Sequence, residues 1–239
     1  PACGSGSFIV RAFQEICNAI EDRLKKSEKG KMVTFQSYKE RLSFSQKISI
    51  LTQCIYGVDL DEKAVELAQL NLLLKLLEDE SPESHKRLLP NLKENIKCGN
   101  SLIDDHSIAG DKAFKWEAQF ADVFRNGGFD VVIGNPPYIR IHVFDDNTKE
   151  IFSKYGAATG QYDIYALFIE KSLSLLKNKG YLGFIVSNKF LVADYGIGLR
   201  KIVLNKSKIK YLLDVSNLDI FKEASVYPLI SIFEKSDLQ

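Results

Sequence analysis

Residues 128–138 form a short apolar strand that ends in a tetrapeptide able to hold an amino group, Asn135-Pro-Pro-Tyr138. The Asn135 side chain offers one carbonyl acceptor. The peptide carbonyl of Pro136 offers a second, whose direction is restrained because Pro137 follows it. Two fixed acceptors can take both hydrogens of one NH2 group, which favours the localised lone pair that a nucleophilic nitrogen needs. Tyr138 adds a flat ring for stacking, and a plain Asn-Pro turn is the alternative interpretation.

A glycine turn opens the chain and leads into a helix predicted over Phe8–Arg23. Gly4 and Gly6 carry no side chains that would block a ligand, and the start of the helix presents free N–H groups. Asp59 follows a second strand, predicted over Ile55–Val58. A carboxylate at that point suits ribose hydroxyls, although capping of the next helix is also possible.

Asp61 is expected to cap the helix predicted over Glu62–Leu77, which leaves Asp59 to face a ligand. Asn100 follows a third predicted strand, Asn95–Cys98. Its amide could bind an adenine edge or only close a turn, and the sequence favours neither.

These motifs resemble those of the S-adenosylmethionine-dependent amino-methyltransferases that modify adenine in DNA, in the subgroup where the cofactor motifs precede the catalytic one. The similarity extends to later segments, 161–168, 180–187 and 195–200, and so covers nearly the whole chain. It is closest to type IIG and Eco57I-like modification subunits of bacterial restriction–modification enzymes. The resemblance implies methylation of the N6 amine of a flipped adenine in double-stranded DNA, in the bacterial cytoplasm.

The resemblance also assigns roles to residues. Catalysis is assigned to Asn135, Pro136, Pro137 and Tyr138, and cofactor contacts to Pro1, Ala2, Cys3, Gly4, Gly6, Asp59, Leu60, Asn100, Ser101 and Asn135. A second aromatic ring would complete a sandwich around the target base, and both Phe190 and Tyr195 fit that role. Lys189 and Arg200 lie near these rings and are predicted to bind DNA, whereas Lys206–Lys210 is expected to be a solvated face.

The order of predicted elements indicates an α/β fold of the Rossmann-like methyltransferase type, with a mostly parallel sheet and an antiparallel strand at its edge. The remaining strands are predicted at Asp130–Ile133, Leu182–Val186, Lys210–Asp214 and Pro228–Glu234, and the remaining helices at Asp163–Leu176 and Gly198–Leu204. Residues 139–159 show no periodicity and are predicted to form a mobile loop that orders on DNA.

One catalytic domain is expected over residues 1–239, with surface insertions at about 25–49 and 78–93. The family places a strand and a further cofactor-binding segment before the glycine turn. The chain is therefore expected to be a fragment that lacks the first strand. A domain or subunit that determines sequence specificity is expected outside it.

The composition is that of a globular protein, with 45% hydrophobic residues and a net charge of +1. No stretch is long and apolar enough to cross a bilayer. The four cysteines lack zinc spacing and the three histidines (His85, His106 and His142) are far apart, so no metal site is expected.

Four other functions are alternatives to DNA adenine methylation. Protein-glutamine and RNA amino-methyltransferases also use Asn-Pro-Pro-Tyr, but the form of the glycine turn and the long insertions favour the DNA enzymes. A hydride-transfer enzyme would need a third glycine where Ile9 stands. A catalytically silent DNA-binding scaffold is disfavoured by the intact tetrapeptide.

Overall fold

The computed structural model describes residues 1–28, 41–78, 88–216 and 227–236. The chain divides into two compact units, one formed by Cys3–Cys98 and the other by Pro1–Ala2 together with Gly99–Gln239. Each unit has its own hydrophobic core. The predicted insertions fall partly on residues 29–40 and 79–87, which lie outside the described residues.

In the unit Cys3–Cys98, helices surround a pair of parallel strands. Its described elements are helices α1 (Ser7–Glu28), α2 (Phe44–Cys54) and α3 (Glu62–Leu77) and strands β1 (Gly57–Asp59) and β2 (Ile96–Cys98). Val58 of β1 pairs with Lys97 of β2 in a parallel register. Parallel pairing aligns the carboxyl ends of the two strands, where ligands bind in open α/β sheets.

Helix α3 begins and ends where the sequence predicts. The Asp61 carboxylate accepts a hydrogen bond of 2.9 Å from the Lys63 backbone N–H and so caps the helix. Four of its residues are buried at helical spacing, namely Val65, Ala68, Leu72 and Leu76. Helix α2 was not predicted, although Ser43 and Gln46 form a reciprocal capping box at its start.

The second unit is built on a four-stranded sheet in the order β3–β4–β6–β5. Its strands are β3 (Phe129–Gly134), β4 (Leu176–Ser187), β5 (Ser207–Asp214) and β6 (Pro228–Lys235). β3 and β4 are parallel, and β6 is antiparallel to both β4 and β5. The sheet was expected to have an antiparallel arrangement at its edge, formed by the last two strands, and β5 and β6 pair in that way. Among the described strands β5 is outermost, and β6, which runs opposite to the other three, lies one position in from the edge.

Helices α4 to α9 complete this unit. They span His106–Ala109, Trp116–Gln119, Ala121–Arg125, Asp146–Phe152, Tyr165–Leu175 and Ile197–Lys206. Helix α8, Tyr165–Leu175, is buried along most of its length and forms the centre of the core. Tyr162 and Tyr165 are both buried and pack in this core.

The segment 139–159 contains regular structure, so the prediction of a loop without it was wrong. It holds a 3-10 turn, Ile141–Val143, and helix α7. The Ile141 N–H donates to the Tyr162 carbonyl at 3.0 Å, and the Ile164 N–H donates to the Ile139 carbonyl at 2.8 Å. These long-range contacts hold a segment whose local sequence has no clear period. Its response to DNA stays a prediction.

Within the described ranges, no helix has the length and apolar character that a membrane span requires.

Candidate active site

Asn135 directly follows strand β3 and carries a buried acceptor. Among the residues that the structure describes, its side-chain oxygen Oδ1 is one of two buried side-chain polar atoms without a hydrogen-bond partner. The other is the Ser172 hydroxyl. A buried acceptor without a donor costs about 1–3 kcal/mol, so such an atom calls for an explanation. A donor supplied by a bound ligand would satisfy it.

Tyr138 is the last residue of the tetrapeptide that begins at Asn135, and two contacts hold its side chain in place. Its hydroxyl donates to the carbonyl of Ile185 in β4 at 3.0 Å. Its ring packs edge-on against Tyr165, with 6.0 Å between the ring centroids. Burial raises the pKa of Tyr138 to about 12, so the hydroxyl stays protonated and keeps donating at physiological pH. These two contacts therefore fix the orientation of the ring.

Pro1 and Ala2 lie in the same unit as the tetrapeptide. Ala2 packs against the core of that unit. The Pro1 carbonyl oxygen is 3.7 Å from the point where a Cβ on Gly134 would stand. Gly134 precedes Asn135, so Pro1 lies close to the start of the Asn135–Tyr138 tetrapeptide. Ala2 has a φ of +51°, a left-handed conformation that is strained for a residue with a side chain.

The glycine turn is bound to the end of strand β1. The Cys3 N–H donates to the Val58 carbonyl at 3.0 Å, and the Gly4 N–H donates to Asp59 Oδ2 at 2.8 Å. Gly4 has a φ of +54°, and no atom lies within 4 Å of the place where its Cβ would be. A ligand can therefore approach the backbone at Gly4.

Gly6 has a different role from Gly4. A Cβ on Gly6 would lie 3.0 Å from the Ala68 Cβ, so this glycine permits close packing of the turn on helix α3. Its φ of +90° also requires glycine. Both glycines were expected to lie against the ligand. Here Gly6 is buried and supports the turn, and Gly4 has the open side.

Asp59 is half-buried, and both of its oxygens bind backbone N–H groups. Oδ2 accepts from Gly4, and Oδ1 accepts from Asp61 at 3.0 Å. A carboxylate has about four lone-pair sites, so acceptor capacity is left for a ligand. Leu60 beside it is 56% exposed, as expected for a residue that would cover a flat ligand group. Asp61 caps helix α3, as predicted, and the role of Asp59 toward a ligand stays a prediction.

Asn71 was missed by the sequence analysis. Its side-chain amide donates to the Ser5 carbonyl at 2.9 Å, across 66 residues of chain. This bond ties the glycine turn to helix α3. Asn71 lies within an apolar helical pattern and belongs to no motif, so no local signal marks it. Only the tertiary contact identifies it.

Asn100 and Ser101 adopt a turn. The Asn100 side-chain oxygen accepts from the Leu102 N–H at 3.0 Å, which is the bond of an Asx turn. An adenine amine would need that same oxygen as its acceptor. Ser101 is buried, and its carbonyl accepts from the Trp116 indole N–H at 3.1 Å. The hydrogen bond to Leu102 therefore supports the interpretation of Asn100 as a turn residue, and its cofactor role stays a prediction.

Cys3 has the burial and the pKa of an unreactive thiol. Burial is the main cause that raises its pKa to about 11. The thiolate is therefore scarce at neutral pH. The contact of Cys3 with a cofactor stays a prediction.

Phe190 and Tyr195 occupy different environments. The Phe190 ring is 2% exposed and belongs to the hydrophobic core, so it is not placed to stack on a base. Tyr195 is half-buried, and its hydroxyl lies 3.1 Å from that of Tyr165. Of the two rings that the sequence left open, Tyr195 is the one accessible to a ligand.

The two cations near these rings also differ. The Lys189 ammonium lies 5.9 Å from the centroid of the Tyr227 ring and is half-buried. Arg200 uses its Nη1 atom to donate to two backbone carbonyls, those of Phe190 at 2.6 Å and Ala193 at 2.9 Å. The Arg200 side chain is therefore already engaged inside the protein.

Within the described ranges, no group of three or more His, Cys, Asp or Glu side chains is arranged to hold a metal ion. His85 lies outside those ranges.

Comparison with known proteins identifies relatives of this chain. A relative from Escherichia coli, the type II restriction enzyme and methyltransferase RM.Eco57I, is 37% identical over 245 residues, which cover 99% of this chain and 24% of the relative. The adenine-specific methyltransferase PglX of Streptomyces coelicolor is 25% identical over 229 residues, covering 83% of this chain and 17% of that protein. The chain thus spans less than a quarter of the length of either relative.

A solved structure shares the fold. It is a nuclease-deletion mutant of the type ISP restriction–modification enzyme LlaGI in complex with a DNA substrate mimic, with a TM-score of 0.65 and 18% identity. The match covers 100% of this chain and 20% of that one. The sequence profile of the Eco57I restriction-modification methylases matches residues 53–221, which is more than half of the chain. The chain therefore belongs to the Eco57I restriction-modification methylase family.

Proposed function

We propose that this chain carries the catalytic domain of an enzyme that methylates the N6 amine of adenine in double-stranded DNA, within a restriction–modification or related defence system. One observation carries the proposal. Asn135 presents a buried side-chain oxygen with no partner among the described residues, directly at the end of strand β3. An amine that enters this place can donate a hydrogen bond to it. Family membership and the adenine-specific relative support adenine as the bearer of that amine.

The cofactor in this proposal is S-adenosylmethionine. The open side of Gly4 and the exposed Leu60 leave room for a ligand at the glycine turn, and Asp59 retains acceptor capacity for ribose hydroxyls. Pro1, Ala2, Cys3, Asn100 and Ser101 are the further contacts that the family resemblance implies. When bound, the cofactor supplies an electrophilic methyl group on a sulfonium.

The tetrapeptide prepares the nitrogen for reaction. Asn135 Oδ1 and the Pro136 carbonyl would accept the two amine hydrogens and favour the pyramidal nitrogen with a localised lone pair. No strong general base is required, because the amine proton becomes acidic as the new bond forms and can pass to water. Orientation and polarisation by fixed acceptors therefore provide most of the catalysis.

The target base must leave the helix, because the amine of a paired adenine lies inside the duplex. We place the flipped base against Tyr138, with Tyr195 covering its other face. Base–aromatic stacking contributes about 1–3 kcal/mol per base, which offsets part of the cost of unpairing. Lys189 is a candidate contact to the DNA backbone next to this pocket.

Target-sequence recognition is assigned to a domain or subunit outside residues 1–239. This fits the small share of the relatives that the chain covers. A substrate of chromosomal or invading DNA places the enzyme in the bacterial cytoplasm.

The proposal is tested by methyl transfer with the full-length protein. The protein is incubated with S-adenosylmethionine labelled in its methyl group and with equal amounts of double-stranded DNA, RNA or a release-factor-like protein. Label in DNA, recovered as N6-methyladenine after digestion, is the expected result. Transfer only to RNA or protein, or labelled cytosine in DNA, would contradict it.

Asp59→Ala is expected to raise the KM for S-adenosylmethionine by about tenfold or more, because it removes a charged acceptor that holds Gly4 and faces the ligand. Asp61→Ala is the matched control. It removes the cap of helix α3 and should cost about 1 kcal/mol of unfolding free energy with little change in that KM. Steady-state kinetics and thermal unfolding separate the two. Equal KM values for both variants would refute the assigned role of Asp59.

A further inference from the structure

The segment Asn188–Gly196 follows strand β4 and carries Tyr195, the ring that we place over the target base. It consists of two 3-10 turns, Asn188–Leu191 and Asp194–Gly196. We call it the aromatic loop. Short 3-10 turns hold their own geometry weakly, so the position of Tyr195 depends on contacts from outside the loop.

Arg200 supplies the first of these contacts. It lies on helix α9, and its guanidinium donates to the carbonyls of Phe190 and Ala193, one in each half of the loop. Charge-assisted bonds of this kind are stronger than those between neutral groups. The loop is therefore fastened to α9 at two points by a single side chain.

Gly196 lies directly beside the hydrogen bond between Arg200 and the Phe190 carbonyl. A Cβ on Gly196 would stand 2.0 Å from the Phe190 carbonyl oxygen and 2.7 Å from Arg200 Nη1. Only glycine leaves space at this position for the bond between Arg200 and the Phe190 carbonyl.

Tyr165 supplies the second contact. It is fully buried at the start of helix α8, and its hydroxyl lies 3.1 Å from the Tyr195 hydroxyl. Its ring packs edge-on against Tyr138 at 6.0 Å and against Phe190 at 6.4 Å. Tyr165 thus contacts both rings that the proposed function places around the base.

We propose that Arg200 and Tyr165 are positioning residues that hold Tyr195 over the target base, and that Arg200 does not bind a DNA phosphate. This inference rests on the proposed function, because it gives Tyr195 the role of the second stacking ring. It replaces the DNA contact that the sequence predicted for Arg200. Arg200 fixes the backbone of the loop, and Tyr165 fixes the end of the Tyr195 side chain.

Salt dependence of DNA binding tests the role of Arg200. Each phosphate contact contributes about 0.9 to the slope of log Kd against log salt on duplex DNA. Arg200→Ala should leave that slope as in the parent while kcat falls about 10- to 100-fold through misplacement of the base. Arg200→Lys should not restore kcat, because the lysine side chain is one bond shorter and its ammonium does not reach the position from which Nη1 binds both carbonyls. A slope lower by about 0.9, or recovery of kcat in Arg200→Lys, would overturn the proposal.

Fluorescence of the flipped base tests Tyr165. The probe is a duplex that carries 2-aminopurine at the adenine methylated by the parent enzyme. Tyr165→Phe keeps the buried ring but removes the hydroxyl that orients Tyr195. We expect brighter 2-aminopurine, because the base is stacked less firmly, and a lower kcat with unchanged S-adenosylmethionine binding by calorimetry. Parent-like fluorescence and kcat in Tyr165→Phe would refute its positioning role.

The outcomes distinguish this inference from the proposed function. If the parent transfers no methyl group to DNA, the proposed function itself fails. Suppose instead that the parent methylates DNA while Arg200→Ala lowers the salt slope by about 0.9 and Tyr165→Phe has the fluorescence and kcat of the parent. In that case only the positioning roles fail. Should Arg200→Ala not fold, as judged by thermal unfolding, Arg200→Lys and Tyr165→Phe still decide the question.

Discussion

Asn135→Leu should lower kcat for methyl transfer by at least about 100- to 1,000-fold while the protein remains folded. Leucine has a similar volume but offers no acceptor to the amine. The same substitution removes a buried oxygen that has no partner in the described part of the chain, so the free energy of unfolding should stay the same or rise by up to about 1–3 kcal/mol. A residue kept for folding would show the opposite effect on stability.

Kinetics and thermal unfolding measure these two quantities, and calorimetry with S-adenosylmethionine checks that cofactor binding persists. Asn135→Asp is the matched control, because it keeps an acceptor of the same size and should retain more activity than leucine. A kcat near that of the parent in Asn135→Leu would end the proposal that this oxygen grips the amine. A large loss of stability would show instead that Asn135 serves the fold.

Tyr138→Ala should weaken productive binding of DNA by about 1–3 kcal/mol, or roughly 5- to 150-fold in kcat/KM, through the lost stacking surface. Tyr138→Phe keeps the ring and removes only the hydroxyl bond to Ile185, so it should cost about tenfold or less. The phenol has a pKa raised to about 12, so in the parent no loss of activity from its ionisation is expected below about pH 10.

Methylation rates of the two variants on the same duplex measure the contribution of the ring. Equal losses in Tyr138→Ala and Tyr138→Phe would assign the effect to the hydroxyl, against the stacking role. Cofactor affinity is the control and should not change in either variant.

Local sequence signals predicted the elements that have clear caps and periods. Helix α3 was predicted to the residue because Asp61 caps it and its buried residues recur at helical spacing. Strands β1 to β6 were all located, with ends that differ by a few residues. Helix α2 was missed because its apolar residues lie among serine and glutamine in a segment that reads as polar.

Choices that depend on tertiary contacts were not accessible from the sequence. Phe190 and Tyr195 are both aromatic residues in one short segment, and they can be distinguished only by how deeply each is buried in the folded chain. Arg200 lies beside them in a basic stretch typical of DNA contact, and its bonds to Phe190 and Ala193 appear only in the folded chain. The contact between Asn71 and Ser5 is of the same kind.

The hypothesis for Asn135 could be formed from the sequence because the proposed chemistry involves four adjacent residues, and it stays a prediction. The structure adds that the Asn135 side-chain oxygen is buried and has no hydrogen-bond partner among the described residues, which the sequence does not show. Candidate site residues that are adjacent in the sequence could therefore be identified from it, whereas their contacts with distant residues could not.

Strand β6 lies between β4 and β5 in the sheet but is the last of the three to be synthesised. β4 ends at Ser187, but its neighbour β6 begins only at Pro228, after β5 has already been synthesised. During that interval, the backbone N–H and C=O groups on one edge of β4 have no strand to pair with, because β6 has not yet been synthesised. Such an open edge is a site for wrong pairing between nascent chains. Slow translation through residues 188–227 would lengthen this exposure and favour the binding of chaperones there.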